Sequence, residues 1–357
     1  MTASERPHPP TSVLLPTVRW TEACSEVAAQ LGDGDELLVI CDTDDDPVAE
    51  RRDGGGGAAD DGGTNGGAAD DGGTNGGAAD DGGANGGAAD DGGANGGAAD
   101  ALPDGVRLVL AGEPEGCSGK ANAIAAGTEA AGGDRIVWTD DDFHHPPEWL
   151  AALNADYERQ GPTTEIPVFV GADPLGRFFE PAYVIGGTLP VSRGGIAWGG
   201  AVVFERDDLD EDALLADLRR TVSDDGTLAE HLDVSAVDRT RTVAAGGSLR
   251  GSLERFVRFL QITRHHAPAV TAFNVALSVG LATLCLLAPV AGAAFVTALS
   301  GATYARFGIR RATFLLAAPG AVVAPILLAY ALTRRTFVWG GRRYRWRSMF
   351  DVGVEPV

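Results

Sequence analysis

Hydrophobic and polar positions follow two regimes along this chain. The first opens with the apolar run Val13 to Leu15, passes through a helical pattern from about Thr21 to Leu31, and returns to an apolar run at Leu37 to Ile40 that stops at Asp42. Short apolar runs bounded by polar residues read as strands buried on both faces, with a covering helix between them. The pattern resumes with Val106 to Leu110, a helix near Lys120 to Ala131, and Ile136 to Trp138 ending at Asp140. An α/β domain on a parallel sheet is expected. Its carboxylates stand at the carboxyl ends of successive strands, where open α/β sheets bind ligands.

The second regime is apolar throughout. No charge occurs from Ala267 to Ala305, and Pro289 and Gly292 fall near the middle of that stretch. At about 20 residues per crossing it fits a helical hairpin of two spans, and the uncharged segment Ala312 to Thr333 has room for another. Arginines flank these segments at Arg264, at Arg306, Arg310 and Arg311, and from Arg334 to Arg347. The positive-inside tendency draws all three clusters to the cytoplasm, which a single last span forbids. Either that segment is re-entrant around Pro319 and Pro325, or the tail lies outside. Trp339, Tyr344 and Trp346 among arginines favour a tail at the inner surface, as an interfacial anchor.

Between the two halves of the first regime a decapeptide, GGAADDGGTN or GGAADDGGAN, repeats from Gly56 to about Asp100. It carries no aromatic or large aliphatic side chain, so it cannot bury enough surface to offset chain entropy. The plan is therefore an α/β domain over 1–266, interrupted by a disordered acidic insertion at 53–101. A membrane domain of two to three spans follows over 267–333, and a basic, aromatic tail over 334–357.

Charge sharpens this picture. The 357 residues carry a net charge of −22, yet ten arginines against Asp351 and Glu355 give the segment from Arg264 onward about +8, which leaves about −30 upstream. Lys120 is the one lysine among 28 basic residues. An acidic, arginine-for-lysine surface stays hydrated in concentrated salt, so a halophilic cytoplasm is the expected setting, ahead of an acidic protein with a basic partner. Nucleic acid is excluded as a partner, because its phosphates would be repelled. Cys24, Cys41, Cys117 and Cys285 show no paired spacing and read as reduced thiols. The N-terminus, with Pro7, Pro9 and Pro10, has no charged-then-apolar signal peptide.

Four places carry candidate chemistry. Asp140, Asp141 and Asp142 follow a buried strand, and clustered carboxylates repel one another unless a cation joins them. Hard oxygen ligands there suit Mg2+ or Mn2+ on a diphosphate, the alternative being an acidic turn. Asp42, ending its strand, can accept hydrogen bonds from a nucleotide base or ribose, or be a solvated acid. Lys120, in GCSGKANA, places a compact ammonium near a helix start, suited to a phosphate or sugar hydroxyl. Asp224 and Asp225, in SDDGTLAEHL, precede a helix; a cap and a general base both fit.

The order Asp42, GKxNA, Asp140 to Asp142, the glycine-rich GGIAWGG from Gly194 to Gly200, Asp224 with Asp225, and QITRH from Gln261 resembles inverting GT-A glycosyltransferases of family 2 type. The branch is that of ceramide glucosyltransferases and processive cellulose and hyaluronan synthases, with C-terminal transmembrane helices; composition adds a haloarchaeal type. The resemblance covers about residues 11–266 apart from the repeat. It implies a Rossmann-like GT-A nucleotide-sugar domain, with Asp42, Lys120, Asn122, Asp140, Gly199 and His265 at the donor and Asp140 with Asp142 on the metal. Asp225 would be the base, beside Asp224, and Gln261 and Arg264 would stand near the diphosphate and acceptor mouth. His265 occupies the position where that branch has Trp, though an imidazole can still stack on a sugar or base. The expected activity moves a sugar from a metal-bound nucleotide-sugar to a membrane lipid or polyprenyl phosphate, in a multi-pass cell-membrane protein whose catalytic domain is cytoplasmic. A membrane-bound nucleotidyltransferase and a non-catalytic membrane scaffold are the alternatives.

Overall fold

The computed structural model describes residues 8–51 and 101–357. The expected repeat insertion lies outside the described residues. Seven strands form one mixed sheet: β1 (Thr11–Pro16), β2 (Glu36–Cys41), β3 (Val106–Leu110), β4 (Arg135–Thr139), β5 (Thr163–Gly171), β6 (Ala201–Glu205) and β7 (Ser235–Ala245). Their spatial order is β3-β2-β1-β4-β6-β5-β7. The strands β1 to β4 run parallel, β6 is antiparallel to both β4 and β5, and β7 is parallel to β5.

The middle residues of the central strands, Val13 to Leu15, Leu37 to Ile40 and Ile136 to Trp138, are all apolar because both faces of the sheet are covered. Val13, Leu15, Leu37, Val39 and Val137 point into one core, and Leu14, Leu38, Ile40, Ile136 and Trp138 into the other, all with almost no exposure. The covering helices are α1 (Glu22–Ala28), α2 (Gly119–Ala130), α3 (Trp149–Gln160), α4 (Pro174–Tyr183), the short α5 (Leu189–Val191), α6 (Glu211–Leu218) and α7 (Asp224–His231). With β2 to one side of β1 and β4 to the other, chain order reverses at β1. That is the switch point where a crevice opens at the strand ends.

After β7 come α8 (Leu249–His266), α9 (Pro268–Leu287), α10 (Pro289–Arg306) and α11 (Ala317–Thr333), then an antiparallel sheet of β8 (Thr336–Trp339), β9 (Arg342–Ser348) and β10 (Asp351–Pro356). Among the described residues two helices are long and apolar enough to cross a membrane, Pro268–Leu287 and Ala312–Thr333, with mean hydropathies of 2.0 and 2.1. The helix α10, the expected second limb of the hairpin, is not among them. The tail differs from the expected surface anchor. In β9 side chains alternate, so Tyr344 and Trp346 turn inward with Phe337 and Val352 onto Val257 and Leu260 of α8, while Arg343, Arg345 and Arg347 face out.

Candidate active site

The crevice gathers the ends of β2 and β4, the start of α2, the loop 194–200 and the start of α7. Ser118 caps α2 by accepting from the Ala121 amide at 3.0 Å, which sets Lys120 in the first turn. The Lys120 Nζ lies 2.7 Å from Asp140 Oδ1 and 3.2 Å from Asp224 Oδ2. Burial alone would pull this ammonium's pKa down; Asp140, Asp224 and Asp225 outweigh it and hold the group well above its ordinary value. The lone lysine is thus an ionic link between β4 and α7.

Ser223 settles which residue caps α7, since its hydroxyl accepts from the Gly226 amide at 3.0 Å. Asp224 is buried, and burial pushes its carboxyl up to about 7, with Lys120 opposing and Asp225 and Asp140 reinforcing the rise. Asp225 is half-buried and loosely held, with the Gly199 amide at 3.5 Å from one oxygen and Ser223 Oγ at 3.4 Å from the other. Gly199 has no room for a side chain: a Cβ there would stand 2.8 Å from Asp224 Oδ2 and 3.5 Å from Lys120 Nζ.

The three acids after β4 have separate fates. Asp140 pairs with Lys120. Asp141 turns to Thr17, whose hydroxyl donates at 2.6 Å, and burial raises its pKa. The Asp142 carboxyl is pushed up to about 7 by burial and then by Asp140, and its Oδ1 is buried with no hydrogen-bond partner. Among the described residues no group of three or more His, Cys, Asp or Glu forms a metal cage. Two carboxylates with an unsatisfied buried oxygen nevertheless fit a hard divalent cation that takes its remaining ligands from a diphosphate and water. His145 belongs to the core: it meets Thr139 Oγ1 at 2.7 Å, and burial first, then Arg241, lowers it to about 3.

Asp42 lies at the end of β2 under the tail. Arg342 of β9 donates to Asp42 Oδ2 at 2.6 Å and to Glu113 at 2.7 Å, and the Gly119 amide donates to Tyr344 Oη at 3.2 Å. Burial raises the Asp42 carboxyl, and Arg342 opposes that rise. Asn122 faces the loop after β3, donating to Gly112 O at 2.8 Å and Ala111 O at 3.2 Å, and so shapes the crevice wall.

The α8 residues are distributed differently from expectation. Gln261 is buried and donates to Arg334 O at 2.8 Å, and Arg264 is exposed in the last turn. His265 stacks on Trp346 of the tail, ring centroids 4.6 Å apart, so the aromatic contact is made within the protein. A residue that motif reading missed is Arg258, three positions before Gln261 on the same helix. It sits 4.0 Å over the Trp339 ring, within electrostatic range of Asp225, Asp224 and Asp140. Burial first, and then Arg255, lowers it to about 10. Helical spacing back from Gln261 was the available signal for it.

The comparisons bear on this arrangement. Residues 100–201 match the family described as Glycosyl transferase family 2, a span that holds Lys120, Asn122, Asp140, Asp142 and Gly199. No curated protein matches the sequence. Among solved structures, glucosyl-3-phosphoglycerate synthase from Mycobacterium tuberculosis is similar at 14% identity, over 71% of this chain and 80% of that one, with a TM-score of 0.35. Mannosyl-3-phosphoglycerate synthase from Rubrobacter xylanophilus gives 13% identity, 72% and 74% coverage, and 0.34. S. aureus TarS in complex with UDP gives 11%, 94% and 96%, and 0.33. Structural likeness at this level transfers no function. The family match makes the chain a glycosyltransferase.

Proposed function

We propose that this glycosyltransferase moves a sugar from a nucleotide-sugar to an acceptor hydroxyl or phosphate carried by a membrane lipid or polyprenyl chain, with inversion at the anomeric carbon. The observation that carries the reading is the joining of Lys120, Asp140 and Asp224 across the crevice, with Asp225 loosely held beside them. In this reading Asp42 meets the nucleoside, and Asp140 and Asp142 hold the divalent cation, which when bound would offset charge on the diphosphate. Asp225 accepts the proton of an acceptor hydroxyl as that oxygen bonds to the anomeric carbon and the bond to the diphosphate oxygen breaks. A phosphate acceptor would arrive already deprotonated. Lys120 and Arg258 supply positive charge on the side of the leaving group. Asp224 keeps Lys120 in place.

The lipid acceptor is supported by the apolar helices that follow the catalytic domain, whose Phe273, Leu277, Leu287, Val290 and Phe295 are exposed. Soluble proteins rarely leave such a continuous surface uncovered. Membranes bearing the protein, incubated at high salt with Mn2+ or Mg2+ and a panel of radiolabelled nucleotide-sugars, should transfer label to the organic phase, and Asp225→Asn should abolish the transfer. Label that never leaves the aqueous phase with any donor would end the lipid-acceptor reading.

A further inference from the structure

The apolar helices are not disposed as a row of crossings. The last of them lies along the catalytic domain from end to end. Just before α11, Arg311 Nε donates to Glu180 of α4 at 3.0 Å, and the Thr313 hydroxyl meets the same carboxylate. Midway, Leu327 packs against Phe179 and Tyr183. At its end Ala331 is buried with Val257 and Leu260 of α8, and Gln261 donates to Arg334 O. A helix crossing about 30 Å of hydrocarbon would drag the charged residues of α4 and α8 in with it.

The α9–α10 turn tells the same story from the other side. Where the hairpin meets the catalytic domain, Thr303 and Tyr304 are buried, whereas at the turn Leu287 is 82% and Val290 86% exposed. The turn Leu286 to Val290 carries no polar side chain to meet water beyond a bilayer. The two helices pack back to back there, since a Cβ on Gly292 would lie 2.7 Å from the Cys285 Cα.

Resting on the membrane reading above, we propose that α9 to α11 enter one leaflet only. The α9–α10 turn ends in the hydrocarbon, α11 lies in the plane of the interface, and the partner of this surface is the lipid bilayer. The arginines from Arg306 to Arg311 and from Arg334 to Arg347 then stay on the catalytic side, where lipid phosphates can meet the exposed Arg310, Arg335, Arg343 and Arg345. All three basic clusters thereby share one side of the membrane, which a spanning α11 could not achieve.

Thiol labelling of the full-length chain tests this, because all four native cysteines are buried. Single variants Asp207→Cys in the catalytic domain, Ser348→Cys in β9 and Leu287→Cys at the turn would be treated with membrane-impermeant maleimide on intact cells and on inside-out vesicles. Ser348→Cys and Asp207→Cys should label in the same preparation, and Leu287→Cys in neither until detergent is added. Labelling of Leu287→Cys from the face opposite Asp207→Cys, or of Ser348→Cys and Asp207→Cys from opposite faces, overturns the proposal while leaving membrane attachment intact. Recovery of the chain in the aqueous fraction would instead remove the membrane reading beneath it.

Discussion

The Lys120 ammonium stands 3.2 Å from the Asp224 carboxylate, and through this pair the first turn of α2 is tied to the first turn of α7. Both side chains are largely withdrawn from water. Lys120→Met should therefore leave two carboxylates facing each other without a cation. Breaking a buried pair from one side costs roughly 3–5 kcal/mol. The loss should be smaller at pH 5 than at pH 8, because Asp224, already pushed up to about 7, can take a proton in answer. Thermal unfolding of the variant at the two pH values checks this; an equal loss at both would mean the pair is not coupled as described.

The same carboxyl sets a pH dependence for the native chain. Because the folded-state pKa of Asp224 is raised, the folded form binds more protons than the unfolded form between about pH 4 and 7. Its contribution to stability must then fall as pH rises through that window. Asp224→Asn removes the titration, so its stability should vary less with pH there than the wild type's. Parallel slopes in denaturant titrations of the two proteins would refute the assignment.

Gly199 tests the geometry without touching a charge. With a Cβ placed 2.8 Å from Asp224 Oδ2, Gly199→Ala must displace either the loop or the acid. Transfer should drop by at least about tenfold, on the scale that misplacing a catalytic group by an ångström produces. The unfolding temperature should change little, since the crevice can open toward solvent. Full activity in this variant would show that Asp224 and Lys120 tolerate movement.

How much of this could be read from the chain depends on the range of the interaction. The apolar runs at Val13, Leu37 and Ile136 specified central strands, because full burial on two faces leaves few other solutions, and the acids that end β2 and β4 fell at the crevice as strand ends must. Lys120 stood out by composition alone. That Asp140 and Asp224 pair with it was not legible, because the bond to Asp224 depends on how far α7 folds back, and local pattern is blind to that. The tail was the furthest from view. Arg342, Tyr344 and Trp346 look like a basic aromatic surface strip until the period of two in β9 puts Tyr344 and Trp346 inward and lays Arg342 on Asp42. Arg258 was hidden by the same tail, since its ring contact comes from Trp339.

The tail's grip on Asp42 yields a prediction that separates two roles. Arg342 bridges Asp42 and Glu113, and the neighbouring Tyr344 accepts from the Gly119 amide at the start of α2. If Asp42 meets the nucleoside, Arg342→Met frees one acceptor oxygen and removes the charge that opposes its burial, so the Asp42 carboxyl rises further. The donor KM should then shift by roughly 3–10-fold and become steeper in pH below neutrality, while kcat holds, because binding common to ground and transition states is what changes. A fastening role for Arg342 predicts otherwise: the unfolding temperature falls, and KM and its pH profile stay as in the wild type. Glu113→Gln provides the control, since it loosens the same arginine without uncovering Asp42, and only the shared part of the two effects can be assigned to the hold of the tail.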